Sequence, residues 1–182
     1  MKITVIGRGN VGGGLARLWR DAGHDVDELG KDGGDAFGSD AVLVAVPSDA
    51  IADALGKVSG LEGKVMIDST NALAGRPEDF DSLAEQVKSI AGGPTVKAFN
   101  LNFAAIYDKV REQRNTPSMP WCGDEGTRDV TEQLIRDAGY EPFYCGGLEK
   151  ARALEDGLGV VFAAMQAAGG PVFYRFWKPG EL

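Results

Sequence analysis

The sequence predicts an α/β fold built on a doubly wound, mostly parallel β-sheet, and three observations support this. Short apolar runs typical of buried parallel strands alternate with segments whose apolar residues recur at helical spacing. Turn-forming residues separate these segments, as in the run Gly92-Gly93-Pro94. The chain has 182 residues, enough for the core of one such domain. We therefore expect one domain over residues 1–182, in which residues 118–182 form a small C-terminal β/α extension.

The first part of the chain predicts two helices among four strands. The short run Ile3 to Ile6 is mainly apolar and ends at a glycine, which is typical of a buried parallel strand. Ser48, which follows Pro47, is expected to cap the second helix. The predicted elements are, in order, a strand at 3–6, a helix from 11 to 23, strands at 24–29 and 41–47, a helix from 48 to 58 and a strand at 64–69.

The second part of the chain continues this alternation. The predicted elements are a helix at 81–90, a strand at 95–99, a helix at 103–113, a strand at 119–122, a helix at 128–138, a strand at 141–145 and a long helix at 148–168. In a doubly wound sheet, ligands bind in a crevice beyond the carboxyl ends of the strands. We expect the functional residues to lie there.

One connection is shorter than such a fold normally has. Only residues 30–40 separate the second predicted strand from the strand at 41–47, too few for a crossover helix and a further strand. One βα unit is therefore missing or reduced. If the crevice holds a dinucleotide, the wall beside its adenine is reduced too, so that binding there is weak or another subunit completes the pocket.

Composition and charge exclude several classes of function. The net charge of −8 opposes binding to nucleic acid and to anionic lipid. Strand-like residues begin at Lys2, and no apolar run is long enough to span a membrane, so we expect a cytoplasmic protein without a signal peptide. Cys122 and Cys145 have no metal-ligand spacing and no neighbouring histidine. We expect them to be small buried hydrophobic residues, and we expect no metal site.

A glycine motif lies between the first strand and the first helix. The run Gly7-Arg8-Gly9-Asn10-Val11-Gly12 has the spacing G-x-G-x-x-G, in the strand, motif and helix order of a dinucleotide-binding Rossmann fold. In that reading Gly7 permits the tight turn, Gly9 lets a diphosphate approach the backbone, and Gly12 lets the helix pack against the strand. The free N–H groups of the helix start then bind the anion. A glycine-rich turn in an unrelated α/β protein is the alternative.

Polar or turn-forming residues follow three later strands at the expected crevice. They are Ala45, Val46 and Pro47 after one strand, Thr70 and Asn71 after the next, and Asn100 and Asn102 after the third. The first two groups should border the nicotinamide ribose, where Thr70 and Asn71 would hydrogen-bond the ribose or the carboxamide. The alternative for Thr70 and Asn71 is a simple turn or cap.

Several segments carry a resemblance to a known family. They are "GRGNVGGGLARLWRDAGHDV", "AVLVAVP", "KVMIDSTN", "VKAFN", "WCGDEG" and "LIRDAGYEPFYCGGLEKARALE", and they span residues 1 to about 168. The chain resembles the NADPH-dependent reductases of the deazaflavin coenzyme F420, and the related cytosolic domain of the six-transmembrane epithelial antigen metalloreductases. The resemblance implies hydride transfer between a nicotinamide and a flavin-like ring, with F420, FMN or FAD as the second substrate, inside one Rossmann domain.

The resemblance also implies a cofactor preference and a substrate side. Lys31 stands where the family has a basic residue, and Arg8 points to the same region, so we expect NADP, with NAD as the alternative because Asp32 adjoins Lys31. In the family, the segment with Asn100 and Asn102 faces the flavin-like ring. The residues after Asn100 depart from the family's commoner run, which leaves the substrate's identity open.

Hydride transfer between flat rings needs donors toward the acceptor ring rather than an acid or base. We expect Asn100 to be such an amide donor, with Asn102 beside it, whereas His24 lies at the opposite edge and is expected to be structural. Two other functions stay open: a dinucleotide-sensing module without turnover, and a dehydrogenase of a small carbonyl compound, for which Lys97 is the sole candidate acid.

The C-terminal segment "PVFYRFWKPGEL" is rich in aromatic residues, more than a solvated terminus should expose. We expect it to pack on a partner subunit in a homodimer or beside the substrate pocket. Packing against its own sheet is the alternative.

Overall fold

A seven-stranded sheet forms the centre of the structure, a computed structural model that describes residues 1–180. The strands are β1 (Lys2–Ile6), β2 (Asp25–Leu29), β3 (Gly34–Asp35), β4 (Ala41–Val44), β5 (Val58–Ser59), β6 (Val65–Asp68), β7 (Thr95–Lys97), β8 (Ser118–Gly123) and β9 (Glu141–Tyr144). The helices are α1 (Asn10–Asp21), α2 (Ile51–Gly56), α3 (Leu83–Ala91), α4 (Arg128–Asp137), α5 (Ala151–Asp156) and α6 (Leu158–Ala168). Shorter 3₁₀ segments occupy Ser48–Ala50, Ala104–Glu112 and Leu148–Lys150.

The main sheet has the order β2-β1-β4-β6-β7-β8-β9. Every neighbouring pair in it is parallel except β7 and β8, which are antiparallel. The predicted doubly wound, mostly parallel fold is therefore confirmed. Because β8 reverses direction, the carboxyl ends of β1, β2, β4, β6 and β7 meet at one edge of the sheet, and those of β8 and β9 lie at the other.

Buried side chains form an apolar layer on each face of the sheet. One layer joins α1, α4 and the 104–112 segment to the sheet, and in it the indole Nε1 of Trp19 donates a hydrogen bond to the carbonyl oxygen of Leu134 at 2.9 Å. The other layer packs α2 and α3 on the opposite face through residues such as Ile51, Leu55 and Val87. A third, smaller cluster lies under α5.

The reduced connection predicted between the second and fourth strands is present. Residues 30–40 contain no helix, and their strand β3 pairs in parallel with β5 in a separate two-stranded sheet. The pairing holds this segment against the end of α2, where the N–H of Gly34 donates a hydrogen bond to the carbonyl oxygen of Lys57 at 3.2 Å.

Three local predictions were wrong. Ser48 does not cap a helix, because its hydroxyl oxygen accepts a hydrogen bond from the backbone N–H of Ala74 instead. The 103–113 helix is a 3₁₀ segment, in which Tyr107 packs closely on the small residue Gly14 of α1. The helix predicted over 148–168 begins with a 3₁₀ turn instead and is divided at Gly157, a poor helix former, into α5 and α6.

The aromatic segment near the C-terminus packs against its own sheet. The carbonyl oxygen of Tyr174 accepts a hydrogen bond from the N–H of Ser118 at 2.9 Å, and the Phe176 ring stacks on Phe143 with centroids 5.0 Å apart. The prediction of a partner contact rested on this aromatic surface, and much of the surface packs within the chain instead. Among residues 1–180, no helix is both long enough and apolar enough to cross a membrane.

The contact between α1 and the β1 turn gives a stability prediction. A Cβ on Gly12 would lie 1.9 Å from the carbonyl oxygen of Gly7, whereas a Cβ on Gly13 would have its nearest contact at 3.6 Å. We expect Gly12→Ala to lower the free energy of unfolding by about 1–3 kcal/mol because the helix must move. Gly13→Ala should raise it by about 0.5–1 kcal/mol. Urea denaturation measures both, and equal effects would contradict the packing argument.

Candidate functional site

The glycine motif forms a tight turn at the carboxyl edge of the sheet. Gly7 has a φ of 110°, and a Cβ there would lie 2.3 Å from the carbonyl oxygen of Ala45, so this position requires glycine. Gly9 precedes α1 as its N-cap residue, and a Cβ there would have no neighbour within 4 Å. The first turn of α1 contains no acidic residue. The turn therefore presents unpaired backbone N–H groups and open space to an anion.

A cavity of about 770 Å³ opens directly beside this turn. It lies between the ends of β1 and β4, the segment after β2, and helix α2. Its lining residues are Ile6, Gly7, Arg8, Gly9, Gly30, Lys31, Ala45, Val46, Pro47, Ala50, Asp53, Ala54 and Lys57. The structure thus brings together the glycine turn, Lys31 and the Ala45 to Pro47 segment, as the sequence predicts. Asn10, Val11 and Gly12 belong to the first turn of α1.

Cationic side chains surround the end of this cavity near β2. The Arg8 guanidinium donates two hydrogen bonds to the carbonyl oxygen of Glu28, from Nη2 at 2.7 Å and from Nε at 3.2 Å. The Arg8 guanidinium therefore lies beside Gly30, the residue that precedes Lys31. Lys57, which sequence reasoning missed, also lines the cavity and forms an ion pair with Asp53 at 2.7 Å. Its proximity depends on the β3–β5 pairing, which no local pattern predicts.

Two asparagines form a paired amide cluster at the ends of β6 and β7. Asn71 Nδ2 donates to the carbonyl oxygen of Asn100 at 2.7 Å, and Asn100 Nδ2 donates to Asn71 Oδ1 at 3.0 Å. Asn100 Nδ2 also donates to the carbonyl oxygen of Leu154 at 3.1 Å. Both N–H groups of the Asn100 amide are therefore engaged within the chain, and the expectation that Asn100 donates to an acceptor ring stays a prediction. The sequence could not reveal this engagement, because Leu154 comes from α5.

The backbone just before this cluster is strained. Phe99 is the only residue other than glycine with a positive φ among residues 1–180, at 65°. Its ring is buried edge-on against Trp19, with the centroids 5.6 Å apart. Such a conformation costs about 1–3 kcal/mol and persists where packing imposes it, often at functional sites. Packing of Phe99 thus sets the direction in which Asn100 leaves the strand.

Thr70 and Asn102 are engaged within the chain. The Thr70 hydroxyl and N–H both donate hydrogen bonds to Asp68 Oδ1, at 2.7 and 2.8 Å. These bonds form a local turn, which the sequence analysis gave as the alternative to a binding role. Asn102 donates from Nδ2 to the carbonyl oxygen of Ser118 at 3.2 Å and accepts from the Tyr174 hydroxyl at 2.8 Å. The Asn102 amide thus anchors β8 and the C-terminal segment through one N–H group and its oxygen, and its role as a donor to an acceptor ring stays a prediction.

A buried ion network supports the amide cluster from below. Lys97 is fully buried, and its Nζ donates to Asp68 Oδ2 at 2.7 Å, to the Thr70 carbonyl oxygen at 2.6 Å and to Glu155 Oε1 at 3.1 Å. Glu155 also accepts from Arg76 Nη2 at 2.5 Å. All three N–H groups of the ammonium are thereby used. The sequence does not predict this network, because its members come from four separate segments of the chain.

The remaining titratable candidates lie away from the cavity. His24 Nε2 contacts Asp137 Oδ2 at 2.8 Å, at the amino edge of β2, which supports its structural role. Cys122 is buried, and burial raises the pKa of its thiol to about 12, so it stays neutral at pH 7. Cys145 is half-buried beside it, and burial raises its thiol pKa too. Among the described residues, no group of three or more His, Cys, Asp or Glu side chains is placed to hold a metal ion.

Comparison with solved structures shows which known proteins share this fold. The structure superposes with a TM-score of 0.82 on a protein from Arthrobacter sp. FB24 described as a candidate F420-dependent NADP reductase, at 22% identity, covering 98% of this chain and 100% of that one. A hypothetical protein from Sinorhizobium meliloti gives a TM-score of 0.66 at 26% identity, covering 83% and 88%.

A reductive aminase from Aspergillus terreus, solved with NADPH and ethyl levulinate, gives a TM-score of 0.66 at 15% identity, covering 92% of this chain and 64% of that one. No family profile matches the sequence, and no curated protein sequence matches it significantly. The resemblance predicted from the sequence is therefore confirmed as a likeness of fold, with a Rossmann-type sheet shared over almost the whole chain.

The buried network gives a second stability prediction. We expect Lys97→Met to lower the free energy of unfolding by about 3–5 kcal/mol, because Asp68 and Glu155 would lose their shared buried cation. Lys88→Met is the matched control, since Lys88 pairs with Asp124 at the surface and such pairs contribute less than about 1 kcal/mol. Urea denaturation measures both variants. A small loss for Lys97→Met would show that the network does not hold the site together.

Proposed function

We propose that this protein is an NAD(P)H-dependent oxidoreductase that transfers hydride between a nicotinamide and a flavin or deazaflavin ring of the F420 type. The observation that carries the proposal is the open glycine turn at the start of α1, which faces a cavity of about 770 Å³. The named neighbours that bind NADPH or are described as NADP reductases support the same reading.

The dinucleotide would bind with its diphosphate over Gly9. The open space there would be filled by any side chain, and the N–H groups of the first turn of α1 would donate to the phosphate oxygens. Ala45, Val46 and Pro47 would then lie along the ribose and nicotinamide half, because they end the strand next to β1. The residues present thus fit the cofactor.

NADP is the preferred form of the cofactor in this proposal. Arg8, Lys31 and Lys57 line the end of the cavity near β2, where the adenosine ribose of a Rossmann-bound dinucleotide lies. A 2′-phosphate brings two negative charges to these cations, whereas a ribose hydroxyl does not. Lys57 is paired with Asp53, which leaves Arg8 and Lys31 as the main phosphate ligands.

The acceptor side of the proposed site is built from amides. Since a bound nicotinamide would supply the hydride chemistry, the residues here would need only to orient the two rings and donate hydrogen bonds. Within the described chain, one of the two amide N–H groups of Asn71 donates to the backbone carbonyl oxygen of Asn100. The other N–H group can then donate to the nicotinamide carboxamide or to the acceptor ring. Asn100 acts by fixing Asn71, and its own Oδ1 is buried without a partner among the described residues. Asn102 has a structural role.

The alternative of a small-carbonyl dehydrogenase is less well supported. Such an enzyme needs an acid that can reach the carbonyl oxygen. Lys97, the candidate for that role, is fully buried with its three N–H groups donating to Asp68, Thr70 and Glu155. A sensor without turnover would share the dinucleotide site, so that measurement of turnover distinguishes it from the enzyme.

An anaerobic assay tests the proposed function. The protein is mixed with NADPH or NADH and with F420, FMN or FAD, and loss of the nicotinamide absorbance is followed. We expect oxidation with at least one flat-ring acceptor and none with Gly9→Glu, whose side chain would occupy the diphosphate space. Gly170→Glu is the matched control, because a Cβ there also meets nothing within 4 Å but lies outside the cavity. Tight binding of NADPH without any turnover would favour the sensor.

The cofactor preference gives a separate prediction. We expect Lys31→Ala to weaken binding of NADPH about tenfold, equivalent to about 1.4 kcal/mol, and to leave NADH binding nearly unchanged. Loss of one phosphate ligand would affect only the cofactor that carries the additional phosphate. Titration calorimetry with each cofactor measures the difference. Equal losses for NADPH and NADH would remove Lys31 from this role.

A further inference from the structure

The wall that α2 adds to the cavity carries two small residues and one ion pair. Ala50 and Ala54 lie four residues apart and line the cavity, and so do Asp53 and Lys57. Residues four apart share one face of a helix, and here Ala50 directly precedes α2 and Lys57 directly follows it. This set of four residues, which we term the α2 wall, therefore combines an apolar surface with one carboxylate and one ammonium.

Asp53 and Lys57 form a donor and acceptor pair that a ligand can reach. Lys57 Nζ donates to Asp53 Oδ2 at 2.7 Å, and the side chains of Lys57 and Asp53 are 45% and 70% exposed. A carboxylate only accepts hydrogen bonds, and an ammonium only donates them. Within residues 1–180 neither group has another hydrogen-bond partner, so each keeps capacity for a ligand.

The reduced connection after β2 holds this pair at the cavity. The N–H of Gly34 donates to the carbonyl oxygen of Lys57 at 3.2 Å, and a Cβ on Gly33 would lie 2.1 Å from the same oxygen. Strand β5 begins at the next residue, Val58, and pairs with β3. The backbone of Lys57 is therefore fixed by contacts beyond α2 itself, and the ion pair has a defined place in the cavity wall.

The base of a dinucleotide would meet the α2 wall. In a Rossmann fold the diphosphate lies at the glycine turn and the adenosine ribose at the end of β2. Gly7 and Gly9 line the cavity at the turn, and Gly30 and Lys31 line it after β2. Residues 45–47 would border the nicotinamide half in the proposed binding mode. This leaves the α2 wall for the base.

Adenine carries the hydrogen-bonding groups that this pair can recognise. Its N6 amino group is a donor, and the ring nitrogens on either side of that group are acceptors. Asp53 can accept from the amino group while Lys57 donates to a neighbouring ring nitrogen. Hypoxanthine and guanine carry an oxygen acceptor at C6 instead, which would face the Asp53 carboxylate without a shared hydrogen.

We propose that the Asp53–Lys57 pair determines the base specificity of the cofactor site and selects adenine over purines with an oxygen at C6. The inference rests on the proposed function, because it assumes that the cavity holds NAD(P)H. It gives Lys57 a role other than phosphate binding, since a phosphate at this ammonium would meet the Asp53 carboxylate 2.7 Å away.

Calorimetric titration with NADPH and with its hypoxanthine analogue tests the role of Asp53. We expect the unaltered protein to bind NADPH about tenfold more tightly than the analogue. Asp53→Asn should bring the two affinities within about twofold, since an amide can accept from adenine or donate to the C6 oxygen. Asp49→Asn is the matched control, because Asp49 is an exposed carboxylate just before α2 and outside the cavity, and it should keep the tenfold difference.

A second variant separates base recognition from phosphate binding. We expect Lys57→Met to weaken NADPH and NADH by the same factor, about threefold to tenfold, because both cofactors carry adenine. A loss for NADPH alone would make Lys57 a phosphate ligand and overturn its proposed role. Exposed pairs of this kind contribute little to stability, so the variants should fold, which circular dichroism verifies.

Two further results would overturn the proposal. One is an unaltered protein that binds NADPH and the hypoxanthine analogue equally well. The other is an Asp53→Asn variant that keeps the full preference for NADPH. Both results contradict this inference and leave the proposed function in place, whereas a protein that binds no dinucleotide at all would contradict the two together.

Discussion

The close approach of helix α1 to the ends of β1 and β4 is the constraint on which the candidate site depends. Gly7 and Gly12 allow it, since a side chain at either position would overlap a backbone carbonyl oxygen. The approach places the start of α1 at the carboxyl edge of the sheet, beside the cavity that Gly7 and Gly9 line. The packing of the core and the proposed binding of an anion therefore depend on the same two glycines.

A second constraint fixes the other half of the site. Lys97 lies at the end of β7 without contact to solvent, and its ammonium joins Asp68 on β6 to Glu155 on α5. Removing these charges from water is unfavourable unless each polar atom has a partner, and the Thr70 carbonyl and Arg76 complete the set. The network is therefore specific in geometry. It holds the loop that carries Asn71 against the strand end that carries Asn100, and it makes a lysine that resembles a catalytic acid into a structural one.

The two ends of the candidate site differ in how they are built. The end beside the glycine turn depends on backbone geometry and cations around an open cavity, and the end beside Asn71 and Asn100 depends on paired amides that a buried network holds in position. Helix α5 contributes Glu155 and the Leu154 carbonyl to this second end, which is the acceptor side in our proposal.

The sequence by itself determined the sheet, the glycine turn and the reduced connection after β2, because apolar periodicity and glycine spacing are local signals. It also identified Arg8, Lys31, Asn71 and Asn100 as residues of the carboxyl edge. Only the tertiary structure decided what the polar side chains do. The Asn100 amide donates a hydrogen bond to the Leu154 carbonyl oxygen of α5, and the Lys97 ammonium donates one to Glu155. The β3–β5 pairing brings Lys57 to the cavity. Hydrogen-bond partners far apart in the chain leave no pattern in the sequence, and they decide which polar groups stay available for a ligand.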